Sequence, residues 1–273
     1  MRAADRLGAD PIERAVREPR AWDGLAGDAA EAAAAVRRLA ALESIGFGDA
    51  WAEELETQSR RFARRDLAML TLAEGLRDGG HTVEAIRIGR RLLERRGGAW
   101  DVRLLHVVFP FAYQELLRAE AARAKVDPFL LAGLVRQESS FDHRARSWVG
   151  ATGLSQIMPK TGAWLAPGAG IRNFSPDLLA VPEINLRMGA RYLGDQLGRY
   201  DGARDLALAA YNAGPGRADR WKRELEYGGD PDVFRAKIPF AETREYVRIV
   251  LRNAEIYRRL YGNRSTGLAE PGD

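Results

Sequence analysis

The sequence predicts an all-α protein, and three features of the chain indicate this class. Alanine-rich and amphipathic stretches recur along most of its length, with apolar residues spaced as on one face of a helix. Aspartate and proline stand where such stretches begin, as at Asp127-Pro128 and Pro182. Glycines stand where they end. Because the hydrophobic content is 46%, we expect these helices to share buried cores.

The N-terminal part is predicted to form two helical hairpins. Asp28 and Asp49 are the expected N-caps of its first two helices, and Gly46 is expected to end the first. The four predicted helices span residues 28–43, 49–62, 65–77 and 82–95. The hairpins resemble each other loosely, at an offset close to the roughly 34-residue period of tetratricopeptide-like (TPR-like) helix pairs. This spacing fits a repeat array and an ordinary helical bundle equally well.

A change of pattern around Pro110 predicts a domain boundary, because proline ends a helix that reaches it. We expect a helical-hairpin repeat region at residues 1–108, a second, motif-bearing domain at 109–262 and a disordered tail at 263–273. The helices predicted for the second domain span residues 113–125, 128–138, 182–198, 205–213, a segment opened by Pro215, and 243–261.

Residue counts exclude several kinds of site. The chain has no cysteine, so disulfides and thiolate metal sites are absent. Its three histidines, His81, His106 and His143, are too dispersed for metal-ligand spacing, and no phosphate-binding glycine loop is present. We therefore predict that no metal and no organic cofactor is needed.

The charge pattern does not identify a partner. The net charge is +4, and arginine clusters occur at residues 60–61, 64–65, 90–91 and 95–96. We interpret the clusters as solvated helix faces, although a basic surface also suits an anionic polymer. A nucleic-acid binder would need a recognisable motif, and none is found, so we expect no nucleic acid as partner.

Membrane insertion is not expected either, because no apolar run reaches the ~18 residues of a spanning helix. The first eight residues, MRAADRLG, contain no apolar core of a signal peptide. If the protein works outside the cytoplasm, we expect this chain to be a mature form or a fragment.

Glu138 is the leading candidate for a catalytic residue. It ends an apolar run at residues 129–135, and a glycine-punctuated segment that could line a cleft follows it. Burial raises the pKa of a carboxyl group, and a neutral glutamic acid can donate a proton to a leaving oxygen. The nearest second acid is Asp142, which would sit at or beyond the helix end, where turns commonly use aspartate.

Four ordered blocks give the chain a specific resemblance: QES at 137–139, GATGLSQIMP at 150–159, AYNAGPGR at 210–217 and IPFAETREYV at 238–247. In this order they resemble the catalytic domain of soluble lytic transglycosylases, enzymes of bacterial wall turnover with a lysozyme-like fold. The resemblance covers roughly residues 109 to 262. The hairpin region resembles, more faintly, the helical superstructure that precedes that domain.

The resemblance implies a reaction and a set of site residues. Glu138 would cleave the β-1,4 bond between N-acetylmuramic acid (MurNAc) and N-acetylglucosamine (GlcNAc), acting first as acid and then as base, and a 1,6-anhydro sugar would form without water. Substrate-binding residues carried over from the blocks are Ser147, Gln156, Met158, Tyr211, Asn212 and Glu242. The chain departs from the family pattern at Ser155, Trp148 and Asp142-His143. These departures affect the expected shape of the sugar subsites.

Alternative functions remain. A goose-type lysozyme shares the fold but adds water, and a non-catalytic cell-wall-binding scaffold would only hold glycan. The resemblance implies peptidoglycan glycan strands as partner and a periplasmic or cell-envelope location, and the helical repeats could bind protein partners.

Overall fold

The structure of the chain, a computed structural model, describes residues 21–22, 24 and 26–262. Within these residues the chain forms 13 α-helices, one 3-10 helix and turns, with isolated β-bridges in place of strands. The predicted all-α class is therefore confirmed. The tail predicted at 263–273 lies outside the described residues. None of the helices in the described part is long and apolar enough to cross a membrane.

The chain divides into two compact units between Ala112 and Tyr113. The extents predicted for the functional domains, 1–108 and 109–262, stay predictions. The helices of the first unit are α1 (Ala26–Ser44), α2 (Gly48–Arg61), α3 (Asp66–Asp78), α4 (Thr82–Arg95) and α5 (Val102–Val108). The second unit contains α6 (Gln114–Ala124), α7 (Pro128–Glu138), α8 (Pro159–Leu165), a 3-10 helix (Pro176–Ala180), α9 (Pro182–Arg199), α10 (Arg204–Ala213), α11 (Pro215–Glu224), α12 (Pro231–Lys237) and α13 (Ala241–Tyr261).

The core of the first unit is built around α3, which packs against α1 and α4. Leu70, Leu72 and Leu76 of α3 are almost completely buried. At Gly75 a side chain would overlap Val36 of α1, so the glycine permits the close approach of the two helices.

Two predicted N-caps of the first unit are wrong. Asp28 lies in the first turn of α1, where its carboxylate pairs with Arg65. The residue that precedes α2 is Phe47, without a side-chain cap, and Asp49 lies in the first turn. Asp residues favour the first turn because of the helix dipole, and the sequence alone does not separate that role from capping.

The second unit is centred on the pair α7 and α13, which make the most extensive helix contact described. Gly133 faces α13 so closely that a β-carbon there would come within 2.7 Å of the backbone nitrogen of Ala254. The predicted N-cap of α7 is confirmed, because Asp127 Oδ1 accepts a hydrogen bond of 2.9 Å from the backbone N–H of Phe129. Pro128 occupies the first helical position, as expected.

Candidate active site

Glu138 is the last residue of α7, and the chain turns sharply after it. Ser140 and Phe141 have positive φ angles of 53° and 66°, a backbone conformation uncommon for residues with side chains. The hydroxyl of Ser139 donates to the carbonyl oxygen of Leu154 at 2.9 Å. This bond attaches the end of α7 to the glycine-rich loop that follows.

The Glu138 carboxyl group is half-buried, and burial raises its pKa from 4.5 to about 7. The one opposing influence is a hydrogen bond of 2.6 Å, donated by the hydroxyl of Tyr246 to Oε1 of Glu138, which lowers the pKa. Charged neighbours are not among the causes of this shift. The carboxyl therefore exchanges its proton near neutral pH, as a group that acts as acid and base must.

Tyr246 is the functional residue that the sequence analysis missed. It lies on α13 and only 5% of its surface is exposed. Burial raises the pKa of its hydroxyl well above the usual value, so the group stays a proton donor to Glu138. A helical face shared with the buried Val250 and Asn253 was the available signal, because a tyrosine buried on such a face needs a hydrogen-bond partner.

The loop after α7 is a compact, internally bonded hairpin. Antiparallel bridges join Arg146 to Thr152 and Thr152 to Ile157. Asn185 of α9, fully buried, accepts a bond of 2.6 Å from the N–H of Ser155 and donates bonds of 2.8 Å to the carbonyl oxygens of Thr152 and Leu179. The loop is thereby fixed against the helical body of the second unit.

Three of the predicted sugar-binding residues belong to this loop. The hydroxyl oxygen of Ser147 accepts the N–H of Ala151 at 2.9 Å, as in an ordinary serine turn. Nε2 of Gln156 donates to the carbonyl oxygens of Ala145 and Gly153, at 3.1 and 2.9 Å, so this amide also holds the loop. Met158 directly precedes α8 and is 38% exposed.

Tyr211 and Asn212 end α10 on the other side of this loop. The hydroxyl of Tyr211 donates to the carbonyl oxygen of Ser155 at 2.9 Å. Burial first, and then the charge of Glu138, raise the pKa of Tyr211 well above its usual value, so the ring lies within electrostatic reach of Glu138. Oδ1 of Asn212 accepts a bond of 2.7 Å from Thr243, which leaves the amide nitrogen to donate elsewhere.

The other acids play different structural parts. Oδ1 of Asp142 accepts the N–H of Arg144 at 2.8 Å, which is the turn contact expected from its position. Glu242 lies exposed in the first turn of α13, next to Thr243. Among the residues that the structure describes, no cluster of three or more His, Asp or Glu side chains is arranged to hold a metal ion.

The predicted residues thus fall into two groups, apart from Glu138. Ser147, Gln156 and Met158 lie in the loop that Ser139 attaches to the end of α7. Asn212 accepts a hydrogen bond from Thr243, the residue after Glu242, and Tyr211 links the groups through Ser155 and the charge of Glu138. The part that each plays in binding a substrate stays a prediction.

The regions of the chain that match known protein families contain the residues of the candidate site. A family model described as the transglycosylase SLT domain matches residues 115–230, and one described as the soluble lytic transglycosylase helical domain matches residues 237–266. The chain is 36% identical over 171 residues to the soluble lytic murein transglycosylase of Escherichia coli K12, covering 62% of this chain and 26% of the relative. The transglycosylase of Enterobacteria phage PRD1 is 37% identical over 115 residues, 42% of this chain and 40% of the phage protein.

Residues 115–230 of the chain carry the SLT domain of the soluble lytic transglycosylase family. Solved structures agree: an inactive mutant of the lytic transglycosylase Slt from Pseudomonas aeruginosa superimposes with a TM-score of 0.69 at 33% identity, covering 86% of this chain and 37% of that chain. The 70 kDa soluble lytic transglycosylase of E. coli superimposes with a TM-score of 0.71 at 27% identity, covering 84% and 36%.

The chain spans about a quarter of the length of the E. coli relative. The helical-domain model matches residues 237–266, which include α13. The solved structures cover 86% and 84% of the chain, so their likeness extends into the N-terminal hairpins. Three of the four sequence blocks lie within the SLT domain match, and the fourth, at 238–247, lies within the helical-domain match.

Proposed function

We propose that this chain is a peptidoglycan lytic transglycosylase that cleaves the MurNAc–GlcNAc β-1,4 bond and leaves a 1,6-anhydro-MurNAc end. The observation that carries the proposal is a half-buried Glu138 with a pKa of about 7, held by Tyr246 in a family member. The named relatives, soluble lytic murein transglycosylases, support the same reaction.

The first step needs Glu138 as an acid. The neutral carboxyl donates its proton to the glycosidic oxygen as the bond from that oxygen to C1 of MurNAc breaks. The positive charge that develops at C1 is stabilised by the acetamido oxygen of the substrate itself, as in substrate-assisted glycosidases. A pKa near 7 keeps much of Glu138 protonated at neutral pH, so burial supports this role.

The second step needs the same residue as a base. Glu138, now ionised, removes the proton from the C6 hydroxyl of MurNAc, and O6 forms a bond to C1. Glu138 thus regains the proton that it donated in the first step, and no water is consumed. The bond from Tyr246 favours the ionised carboxylate, so it stabilises Glu138 between the two steps.

A single carboxylate is sufficient for this scheme. Two-carboxylate glycosidases place a second acid close to the first, and like charges then raise one pKa. The causes of the Glu138 shift are burial and Tyr246 alone, and Asp142 is engaged in a backbone turn. These contacts favour the transglycosylase over a goose-type hydrolase.

The remaining predicted residues are proposed to position the sugar. Ser147 can donate its hydroxyl proton because its oxygen already accepts Ala151. Asn212 can donate from its amide nitrogen, since Thr243 occupies its oxygen. Gln156, Met158, Tyr211 and Glu242 complete the proposed substrate-binding set.

The mass of the released muropeptides tests the proposal. Purified sacculi are digested with the protein, and the products are analysed by mass spectrometry. We expect anhydro ends, which are one water lighter than reducing ends. Reducing ends would identify a goose-type hydrolase instead, and undigested sacculi with retained binding would identify a wall-binding scaffold.

A matched pair of variants assigns the catalytic group. Glu138→Gln should reduce the rate of release by at least about 10²–10⁴-fold, because the amide cannot transfer the proton. Asp142→Asn, the nearest acid in sequence, should have a mild effect. Circular dichroism checks that both variants are folded. Equal inactivity of the two would refute the single-carboxylate mechanism.

The proposed setting follows from the proposed reaction. Glycan strands of peptidoglycan are the partner, the cell envelope is the location, and the helical hairpins are a surface for partner proteins. Fractionation of cells that produce the tagged protein tests the location, and recovery only in the cytosolic fraction would contradict it.

A further inference from the structure

Trp148 is the most exposed large apolar side chain in the described part of the chain. Its relative exposure is 97%, and the neighbouring Val149 is 50% exposed. An indole ring left almost entirely in water loses the free energy that its burial would provide. Tryptophan is also one of the residue types enriched at binding hot spots. The exposure of this ring therefore indicates that it binds a ligand or another molecule.

The turn that carries Trp148 is rigid. Ser147 N–H donates to the carbonyl oxygen of Ala151 at 2.9 Å, and Gly150 N–H donates to the carbonyl oxygen of Ser147 at 3.0 Å. Gly150 has a φ angle of 91°, which favours glycine at this position of the turn. A ring presented on a fixed turn loses little conformational entropy on binding.

The turn is also connected through hydrogen bonds to the end of α7, where the proposed catalytic acid lies. It forms the tip of the hairpin closed by the bridge between Arg146 and Thr152. Ser139, the residue after Glu138, bonds the base of that hairpin at Leu154. A polymer bound with one of its bonds at Glu138 continues beyond that bond, so a platform on this hairpin is placed to meet its next sugars.

We propose that Trp148, with Val149 beside it, is a stacking site for a sugar ring of the glycan strand outside the pair of sugars at the cleaved bond. This inference rests on the proposed function. The axial C–H bonds of a pyranose carry partial positive charge and fit the negative face of an indole ring. The site takes a neutral sugar face, so it recognises glycan length and not stem-peptide charge.

Arg144 and Arg146, both exposed, lie on the same hairpin. Together with Trp148 they also resemble a membrane-surface patch, in which tryptophan sits at the headgroups and arginine meets anionic lipid. Attachment of the hairpin to the catalytic helix favours glycan, and the experiment includes lipid as a competing outcome.

The test measures binding, so it does not depend on turnover. Glu138→Gln is the background, because it binds strands without cutting them. Trp148→Ala and Trp148→Phe are added to it, with Val233→Ala as a control at another exposed apolar residue of the same unit. Calorimetry with the peptide-free MurNAc–GlcNAc disaccharide, which supplies only the pair of sugars at the cleaved bond, and with a peptide-free octasaccharide gives the affinities.

We expect Trp148→Ala to weaken octasaccharide binding about tenfold and disaccharide binding little, with Trp148→Phe in between and Val233→Ala unchanged. Unchanged octasaccharide affinity would overturn the stacking site alone. An equal loss for both lengths would also overturn it, since Trp148 would then act at the cleaved bond.

Two further outcomes separate the inference from its basis. No binding of either oligosaccharide by Glu138→Gln would reject the proposed function and the stacking site with it. Binding to anionic phospholipid vesicles that Trp148→Ala abolishes, with glycan affinity unchanged, would reassign the turn to a membrane surface and reject the sugar site.

Discussion

The proton on Glu138 is controlled by two opposing influences. Burial disfavours the ionised carboxylate, and the hydrogen bond from Tyr246 favours it. Their balance leaves the pKa at about 7, where one group can give a proton and then take one. Either influence can be changed by a single substitution, and the two substitutions have distinguishable effects.

Tyr246→Phe should move the pH profile of kcat/KM. Because the lost hydrogen bond lowers the pKa of Glu138, its removal raises that pKa above about 7. The first step uses the protonated form, so the alkaline limb of the profile should shift to higher pH while the maximal rate falls. Initial rates on soluble glycan strands, measured from pH 5 to 9, give the shift. This range is centred on the Glu138 pKa of about 7.

Tyr200→Phe is the control for this experiment. Tyr200 is almost completely buried and its hydroxyl also donates to a carboxylate, Asp219, at 2.9 Å. It has no described contact with Glu138, so its loss should leave the position of the alkaline limb unchanged. A uniform fall in rate without a shift in Tyr246→Phe would reduce Tyr246 to a packing residue.

Glu138→Gln should stabilise the protein at alkaline pH. The folded-state pKa is raised from 4.5 to about 7, so the folded state binds the proton more tightly than the unfolded state. Stability is therefore lost as pH rises from 4.5 to about 7, by about 3 kcal/mol in total. The glutamine variant lacks this loss.

Urea unfolding at pH 4 and pH 8 measures the effect on either side of that window. We expect the variant to exceed the parent by up to about 3 kcal/mol at pH 8 and to match it at pH 4. The same difference at both pH values would show that Glu138 is not strained by burial.

Glu138 was predictable and Tyr246 was not, for a physical reason. The features that mark Glu138, an apolar run and a glycine-rich loop, are its neighbours in sequence. Tyr246 meets it from 108 residues away, through the packing of one helix against another. Ser147 and Gln156 were partly predictable. Their assignment to the site followed from the family resemblance, but their hydrogen bonds to the loop backbone depend on how the loop folds.

The contact between α7 and α13 is what brings Glu138 and Tyr246 together. The two helices approach closely at Gly133, where a β-carbon would meet Val250 and Ala254 backbone atoms at 2.8 and 2.7 Å. Main-chain atoms of a helix cannot move aside as a flexible side chain can. The separation of α7 from α13, and with it the 2.6 Å bond to Glu138, therefore depends on the absence of a side chain at this glycine.

Gly133→Ala should separate the helices and impair both stability and catalysis. We expect a loss of about 1–3 kcal/mol in the free energy of unfolding, as for other overpacked cores. Activity should fall further than stability predicts, because Tyr246 is displaced from Glu138. Denaturant unfolding and muropeptide release measure the two effects.

Gly198→Ala is the matched control on α9. Gly198 lies in a helix, is exposed, and has no atom near the position of a β-carbon. Alanine favours helix over glycine by up to about 1 kcal/mol, so this variant should be neutral or more stable. A similar loss in both variants would contradict the close-packing explanation.

Helix boundaries show where local sequence is sufficient. At Asp127-Pro128 two start signals coincide, and the predicted cap is found. At Asp28 and Asp49 only one signal was present, and each residue lies inside its helix. The short helices α5, α8 and α12 were not predicted, because seven residues are too few for a clear apolar period.

Every residue of the candidate site lies in the second unit, from Tyr113 onward. That unit has its own core around α7 and α13, and the first unit has a separate core around α3. The family models match only the second unit and the three residues after it, at 115–230 and 237–266. We therefore expect the proposed chemistry to need no residue of the hairpins.

A fragment of residues 113–266 should consequently fold and retain the reaction. Because the contacts of Glu138, Tyr246 and Tyr211 are all internal to the second unit, the rate of anhydro-muropeptide release from soluble glycan strands should stay within a few-fold of the full chain. Cooperative thermal unfolding by circular dichroism establishes that the fragment is folded. Product analysis by mass spectrometry then gives its activity. A folded fragment without activity would mean that the hairpins take part in catalysis, and the site would have to be extended into the first unit.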